Sequence, residues 1–494
     1  MDVNTIIMVI YLAGMLALGI YCARFIKTFD DFFVAGRRLG FWLSFGTMAS
    51  IFVGGSAIGV AGMGHQFGMG AIWYYLAFAF GFVVLAKTFV APLRSLEQYT
   101  IADIFEARYD KRTRLAASIA IFGAWLFFFA ALVVAGARVI EVTLHWDLIT
   151  AIVATAGVFT IYTSIGGMWA VTMTDFVQFI ILICGITAIF PISINEVGGL
   201  GALFQQVPRE FVSVIPALNG SQAVGLGMIF ATIMLTAPTT IVAPDVYLRI
   251  WCIKDDKTAQ KTLHSLSALL VVFAVILTLT GMAAQVLVPE AAHEMALPLM
   301  IKSLLPSGIS GIMLVALLAA AVSGAVPEVI VCSSILARDF YHSFINPKAD
   351  NKKLLSVSRW LTFVVGLLGM GLAVKIPGVM DLSYYSYRIF VPAAVPATIA
   401  AFYSRRTSGT SAFWSMVLGP LTAILCAWLW PESLMTYLDP VIPGLVVSVA
   451  TILILNRFTN PTASQVEFYD NVQAKLKSKK NEGSLTAKSR SARI

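Results

Sequence analysis

The chain has 494 residues, 59% of them hydrophobic and 12% charged, with a mean hydropathy of +0.84 and a formal net charge of +8. A soluble domain is about one quarter charged, so this composition excludes a soluble enzyme or regulator and a disordered chain. Uncharged apolar runs of membrane length recur along the sequence, and the strand-period alternation of a β-barrel is absent.

A helix needs about 20 apolar residues to cross a bilayer. Thirteen spans are predicted, at 5–23, 42–64, 71–91, 115–141, 147–165, 168–194, 223–248, 263–288, 308–337, 355–374, 380–403, 411–430 and 439–456. The first is too long for a signal-peptide core and lacks a basic leader, so it reads as a retained helix. Of the 34 Lys and Arg, 29 fall in the segments 24–41, 87–114, 249–262, 338–359 and 404–406 and in the tail from Arg457. Only Arg209, Lys302 and Lys375 fall in the alternate connections, and Arg138 and Arg388 lie inside spans. The positive-inside rule then puts the N-terminus outside and the basic tail in the cytoplasm of a plasma (inner) membrane. The +8 charge follows this topology and does not point to nucleic acid. The tail is expected to be disordered and to lean on anionic lipid at most. The outer loop, 196–222, is expected to carry one interfacial helix, and no obligate protein partner is evident.

Two spans are interrupted. The second, "FWLSFGTMASIFVGGSAIGVAGMG", holds Gly54 and Gly55 near its middle, and the seventh, "GLGMIFATIMLTAPTTIVAPDVYLR", holds Pro238. Such residues weaken the i→i−4 ladder. Breaks at matching places in two halves point to a transporter built from inverted repeats. The predicted organisation is an N-terminal helix and linker (1–41), a five-helix repeat (42–195), the outer loop (196–222), a second, inverted five-helix repeat (223–403), two extra helices (404–457) and the tail (458–494).

The stretch "YTSIGGMWAVTMTDFVQFIILICG", 162–185, resembles the sodium:solute symporter family, whose members share a GG-x-x-AV-x-x-TD-x-x-Q run. Gly166, Gly167, Ala170, Val171, Thr174, Asp175 and Gln178 match it. "PDVYLRIWCIKDDKTAQ" (244–260), "SSILARDFY" (333–341) and "FYSRRTSGTSAFWSMVLG" (402–419) are similar to other segments of that family. The resemblance implies an all-α LeuT-type fold and secondary active symport of a small organic solute driven by a sodium gradient. It implies a sodium site formed by carbonyls of Ala49 and Phe52 with Ala320, Ser323 and Gly324. Gly324 departs from the family's Ser or Thr, which leaves the coupling ion open between sodium and a proton.

Pro327 and Glu328 follow in the same apolar run. Pro327 has no N–H to bond the Ser323 carbonyl. Glu328 is four residues past Gly324, on the same helical face, and leans toward the gap that Gly324 leaves. It is a candidate ion or proton ligand; the alternative is a structural ion pair with Arg138 or Arg388, or a solvated vestibule position. Asp175 is a candidate for the ion pathway, against a capping role.

The resemblance places the solute around the interrupted spans. Candidates are Gly54, Gly55 and Ser56, the aromatics Trp73, Tyr74 and Tyr75, the hydroxyls Thr236 and Thr239, and Tyr384, Tyr385, Tyr387 and Arg388. Freed helix N–H groups and Arg388 suit a carboxylate or amino acid, the favoured class; the aromatics suit a choline-like amine. A transporter-like sensor and a channel are rival functions. An enzyme is not expected, because no HExxH, GxSxG or GxxxxGK[ST] motif occurs and the five histidines are far apart. The five cysteines form no CxxC pair and read as buried small residues.

Overall fold

The computed structural model describes residues 3–22, 24, 37–96, 100–215, 222–431, 434–435 and 438–476. The described helices, in chain order, are α1 (Val3–Cys22), α2 (Phe41–Ala49), α3 (Ala57–Phe67), α4 (Ile72–Thr88), α5 (Val90–Leu96), α6 (Ile101–Arg108), α7 (Lys111–Leu144) and α8 (Leu148–Glu196). They continue as α9 (Leu200–Gln206), α10 (Gln222–Val242), α11 (Pro244–Cys252), α12 (Asp256–Leu287), α13 (His293–Leu304) and α14 (Ile309–Ser334). Last come α15 (Asn351–Lys375), α16 (Val379–Tyr403), α17 (Gly409–Leu429), α18 (Val441–Leu455) and a terminal helix over 463–476. Among the described residues, 9 helices are long and apolar enough to cross a membrane, and α1 and α18 contain shorter apolar stretches. The fold is all-α and multi-pass.

Helices start where the sequence supplies caps. Asp110, Asp147, Asp255 and Asp350 each accept the backbone N–H three residues ahead, and Thr100 and Asp103 cap each other reciprocally. Where two spans were expected at 147–165 and 168–194, the helical pattern of α8 runs through without a loop for 49 residues. The Tyr162 hydroxyl nevertheless lies 2.7 Å from Thr174 Oγ1. Twelve residues of straight helix would separate them by about 18 Å, so the run folds back on itself between them. The α3–α4 junction reverses likewise at Gly68, whose φ of 62° favours glycine.

The second span is interrupted by a π turn over Ser50–Gly55 that begins four residues before Gly54. At Gly54 a Cβ would stand 2.8 Å from the Ala320 Cβ, so this glycine lets the turn abut α14. Gly54→Val is expected to cost about 1–3 kcal/mol by overpacking, read as a lower unfolding temperature.

The seventh span breaks later than predicted. Pro238 sits inside α10, and the interruption is Ala243, with φ −59° and ψ 126°, ahead of Pro244 at the start of α11. A residue before proline is driven out of the α region, and Pro suits a first helical turn. The tail expectation also needs correction. Residues 463–476 are helical, and Gln465 accepts from Gly409 N–H and donates to the Tyr109 carbonyl (2.8 Å), while the buried Arg108 donates to the Gln465 carbonyl (2.9 Å). Polar anchors and an apolar stripe of Phe468, Val472 and Leu476 hold this segment to the bundle; the remainder, 477–494, lies outside the described residues. The outer loop carries α9 and a 3₁₀ turn, Arg209–Val212.

The core is built around α14. Nearly all its residues are buried, and it packs on α7, α8 and the π turn. A polar side chain on this helix is therefore held by protein on every side, so its partners decide its role.

Candidate solute and sodium site

A narrow cavity of about 40 Å³ lies where the π turn, α4, α7, the α10–α11 break, α14 and α16 meet. Six of its sixteen lining residues are aromatic: Phe52, Tyr74, Phe78, Trp125, Phe128 and Tyr387. Its polar lining residues are Ser56, Thr239, Thr240, Ser386, Asp245 and Glu328, although the surface it exposes is almost wholly apolar. No Lys, Arg or His lines it.

The predicted sodium positions gather at the edge of this cavity. Ala49, Ala320 and Ser323 are buried where the π turn meets α14, and Phe52 and Gly324 face the cavity. A π turn lengthens the backbone hydrogen-bond register from four to five residues and re-aims its carbonyls. The Ser323 hydroxyl bonds the Ala320 carbonyl at 3.2 Å and lies 2.8 Å from the Ser50 hydroxyl. Ser50 was not foreseen; a hydroxyl one residue after Ala49 in an otherwise apolar run was the available signal. Carbonyls and hydroxyls are the hard oxygen donors that suit sodium, and Ser50 supplies an oxygen that Gly324 lacks. The Phe52 carbonyl accepts from Ser56 at 2.7 Å and keeps a second lone pair.

Glu328 is 1% exposed; neither of its carboxylate oxygens has a partner in full hydrogen-bond geometry, and the Trp125 indole N–H is a donor beside it. The ion-pair alternative fails on both counts. Arg138 pairs with Glu141 at 3.0 Å and Glu294 at 3.8 Å, and Arg388 pairs with Asp439 at 2.9 Å. Asp175 is also 1% exposed but lies away from the cavity. It accepts from Thr47 at 2.5 Å and faces the Arg249 guanidinium at 3.5 Å, tying α8 to α2 and α11. Arg249 and Thr47 were missed because Arg249 reads as one more basic residue of a connection.

Of the predicted solute residues, Ser56, Tyr74, Thr239 and Tyr387 share the cavity wall, and the Tyr74 and Tyr387 hydroxyls meet at 3.1 Å. The others point elsewhere. Tyr385 is 42% exposed beside Phe127, and Arg388 belongs to the Asp439 pair. Ser386 and Tyr387 face the cavity, so at 100° per residue Tyr385 and Arg388 lie roughly 150° away from it. Arg388→Gln is therefore expected to leave the solute KM within about threefold, measured by uptake into liposomes. Thr236 donates to the Thr232 carbonyl about two turns before the break. Tyr75 lies behind the wall on the Val53 carbonyl, Tyr384 lies beside the Arg388 guanidinium, and Trp73 bonds the Val214 carbonyl. Gly54 is closed off by Ala320; the surroundings of Gly55 lie outside the described residues.

The family model for the sodium:solute symporter family matches residues 32–419. The chain belongs to the sodium:solute symporter family. The symporter is 28% identical to the sodium/proline symporter of Escherichia coli (strain K12), over 88% of this chain and 89% of that one. It is 26% identical to the osmoregulated proline transporter OpuE of Bacillus subtilis (strain 168), over 95% and 98% of the two chains. Its fold matches the substrate-bound, outward-open structure of a Na⁺-coupled sialic acid symporter, with a TM-score of 0.80 at 20% identity, covering 93% of this chain and 98% of that one. The symporter is thus a transporter, not an enzyme, and sodium is one of its two transported substrates. Its motif residues Asp175 and Gln178 bind neighbouring helices, Gln178 through the Tyr11 hydroxyl of α1 at 2.9 Å. The surroundings of Gly166, Gly167 and Ala170 lie outside the described residues.

Proposed function

We propose that this symporter takes up a small amino acid of the proline class, with sodium bound between the π turn and α14. The observation that carries this reading is a single aromatic-walled cavity between two interrupted helices, open to Phe52 and Gly324 of the sodium site. One space then holds solute against the ion site, so each can stabilise the other's bound state. The two relatives named for proline support the class. The carboxylate partner is not Arg388.

The five-helix units 42–195 and 223–403 act as inverted repeats around this cavity. The basic connections face the cytoplasm and the N-terminus faces outward across the plasma (inner) membrane. Labelled L-proline uptake by cells with the protein expressed, compared in sodium and potassium medium, tests the class. Sodium-dependent uptake competed by close amino-acid analogues supports it, and uptake of a sugar or an anion instead overturns it.

A further inference from the structure

Glu328 is a buried carboxylate in the core of the bundle, with the Trp125 indole N–H beside it and no ion-pair partner within 4.0 Å among the described residues. An ionised side chain there is costly without a partner of opposite charge. The charged and titratable groups around it are Asp245 and Arg249 of α11, Tyr387 of α16 and Cys332 on its own helix, with Tyr74 of α4 on the same cavity wall. Arg249 is the one cation of that set, and it is engaged by Asp175 and the Asp245 carbonyl. Asp245 adds a second negative group to the same wall. Rings of Trp125, Phe128, Phe78 and Tyr387 surround the remaining space, and aromatic faces attract cations.

We propose that Glu328 is the counter-charge for a positively charged nitrogen on the solute, so that the symporter selects amine cations over neutral and anionic isosteres. The proposal rests on the reading that this cavity holds the solute. The sodium site has its own oxygens at Ser50, Ser323 and Ala320, which leaves the carboxylate to the solute. Glu328 acts as a specificity-determining residue, and Asp245 strengthens the same field.

The test is thermal unfolding of the purified full-length protein in saturating sodium, with potassium holding ionic strength constant. The cation probes are choline and pyrrolidinium, the neutral isosteres are 3,3-dimethylbutan-1-ol and tetrahydrofuran, the anion is pivalate, and L-proline is the amino acid. The expected result is stabilisation by at least one cation and none by its neutral isostere. Glu328→Gln should weaken that cation at least roughly tenfold and leave the sodium-induced shift unchanged, while Glu328→Asp retains part of the affinity. Equal stabilisation by a neutral isostere, or unchanged cation affinity in Glu328→Gln, overturns the proposal. If L-proline stabilises the protein while neither cation does, the amino-acid reading stands and this inference falls. If no probe binds, L-proline included, both fall.

Discussion

Asp175→Asn is expected to destabilise the protein by roughly 3–5 kcal/mol, the cost of leaving one member of a buried ion pair alone. Asp175 and Arg249 are each 1% exposed, and the guanidinium has no other carboxylate within salt-bridge reach among the described residues. Adding Arg249→Gln to Asp175→Asn should recover much of the loss, because neutral partners remove the stranded charge. Denaturant or thermal unfolding of the two single variants and the double variant reads this directly. A residue that served only a departing ion would behave differently: its single variant would keep full stability and lose transport. The pair joins α8 to α11, after the second break, and Thr47 of α2, ahead of the π turn, bonds both members, so it also fixes how the two interrupted helices meet.

Ser323→Ala should raise the sodium concentration for half-maximal uptake by roughly tenfold or more, since in the proposed site it removes a direct oxygen ligand where Gly324 already supplies none. Ser50→Ala should weaken sodium in the same direction, because its hydroxyl lies 2.8 Å from that of Ser323. The solute KM at saturating sodium should change far less. Sodium titrations of uptake in liposomes separate these quantities. An unaltered sodium dependence in both variants would move the ion away from the π turn and α14.

Most helices were legible because membrane spans announce themselves by length and apolarity. The interruption at Gly54 was also legible, although its π geometry depends on contact with Ala320. The second interruption was misplaced by five residues because both Pro238 and Pro244 break the ladder in principle. Only the packing decides that one is absorbed within α10 and the other begins α11. Glu328 stood out as a carboxylate in an apolar run. Its freedom from Arg138 and Arg388 depended on where Glu141, Glu294 and Asp439 fall, and no local spacing gives that. Tyr385 and Arg388 show the limit of composition: a cluster of recognition-type residues spreads around the whole circumference of a helix, and only two of its members face the cavity.

The most direct test of sodium-driven symport is uptake of labelled L-proline into liposomes holding the purified protein, with sodium outside and potassium inside. Accumulation above the external concentration is expected only while sodium flows inward, and a sodium ionophore should abolish it. Uptake that merely equilibrates, at the same rate with or without a sodium gradient, would contradict the account.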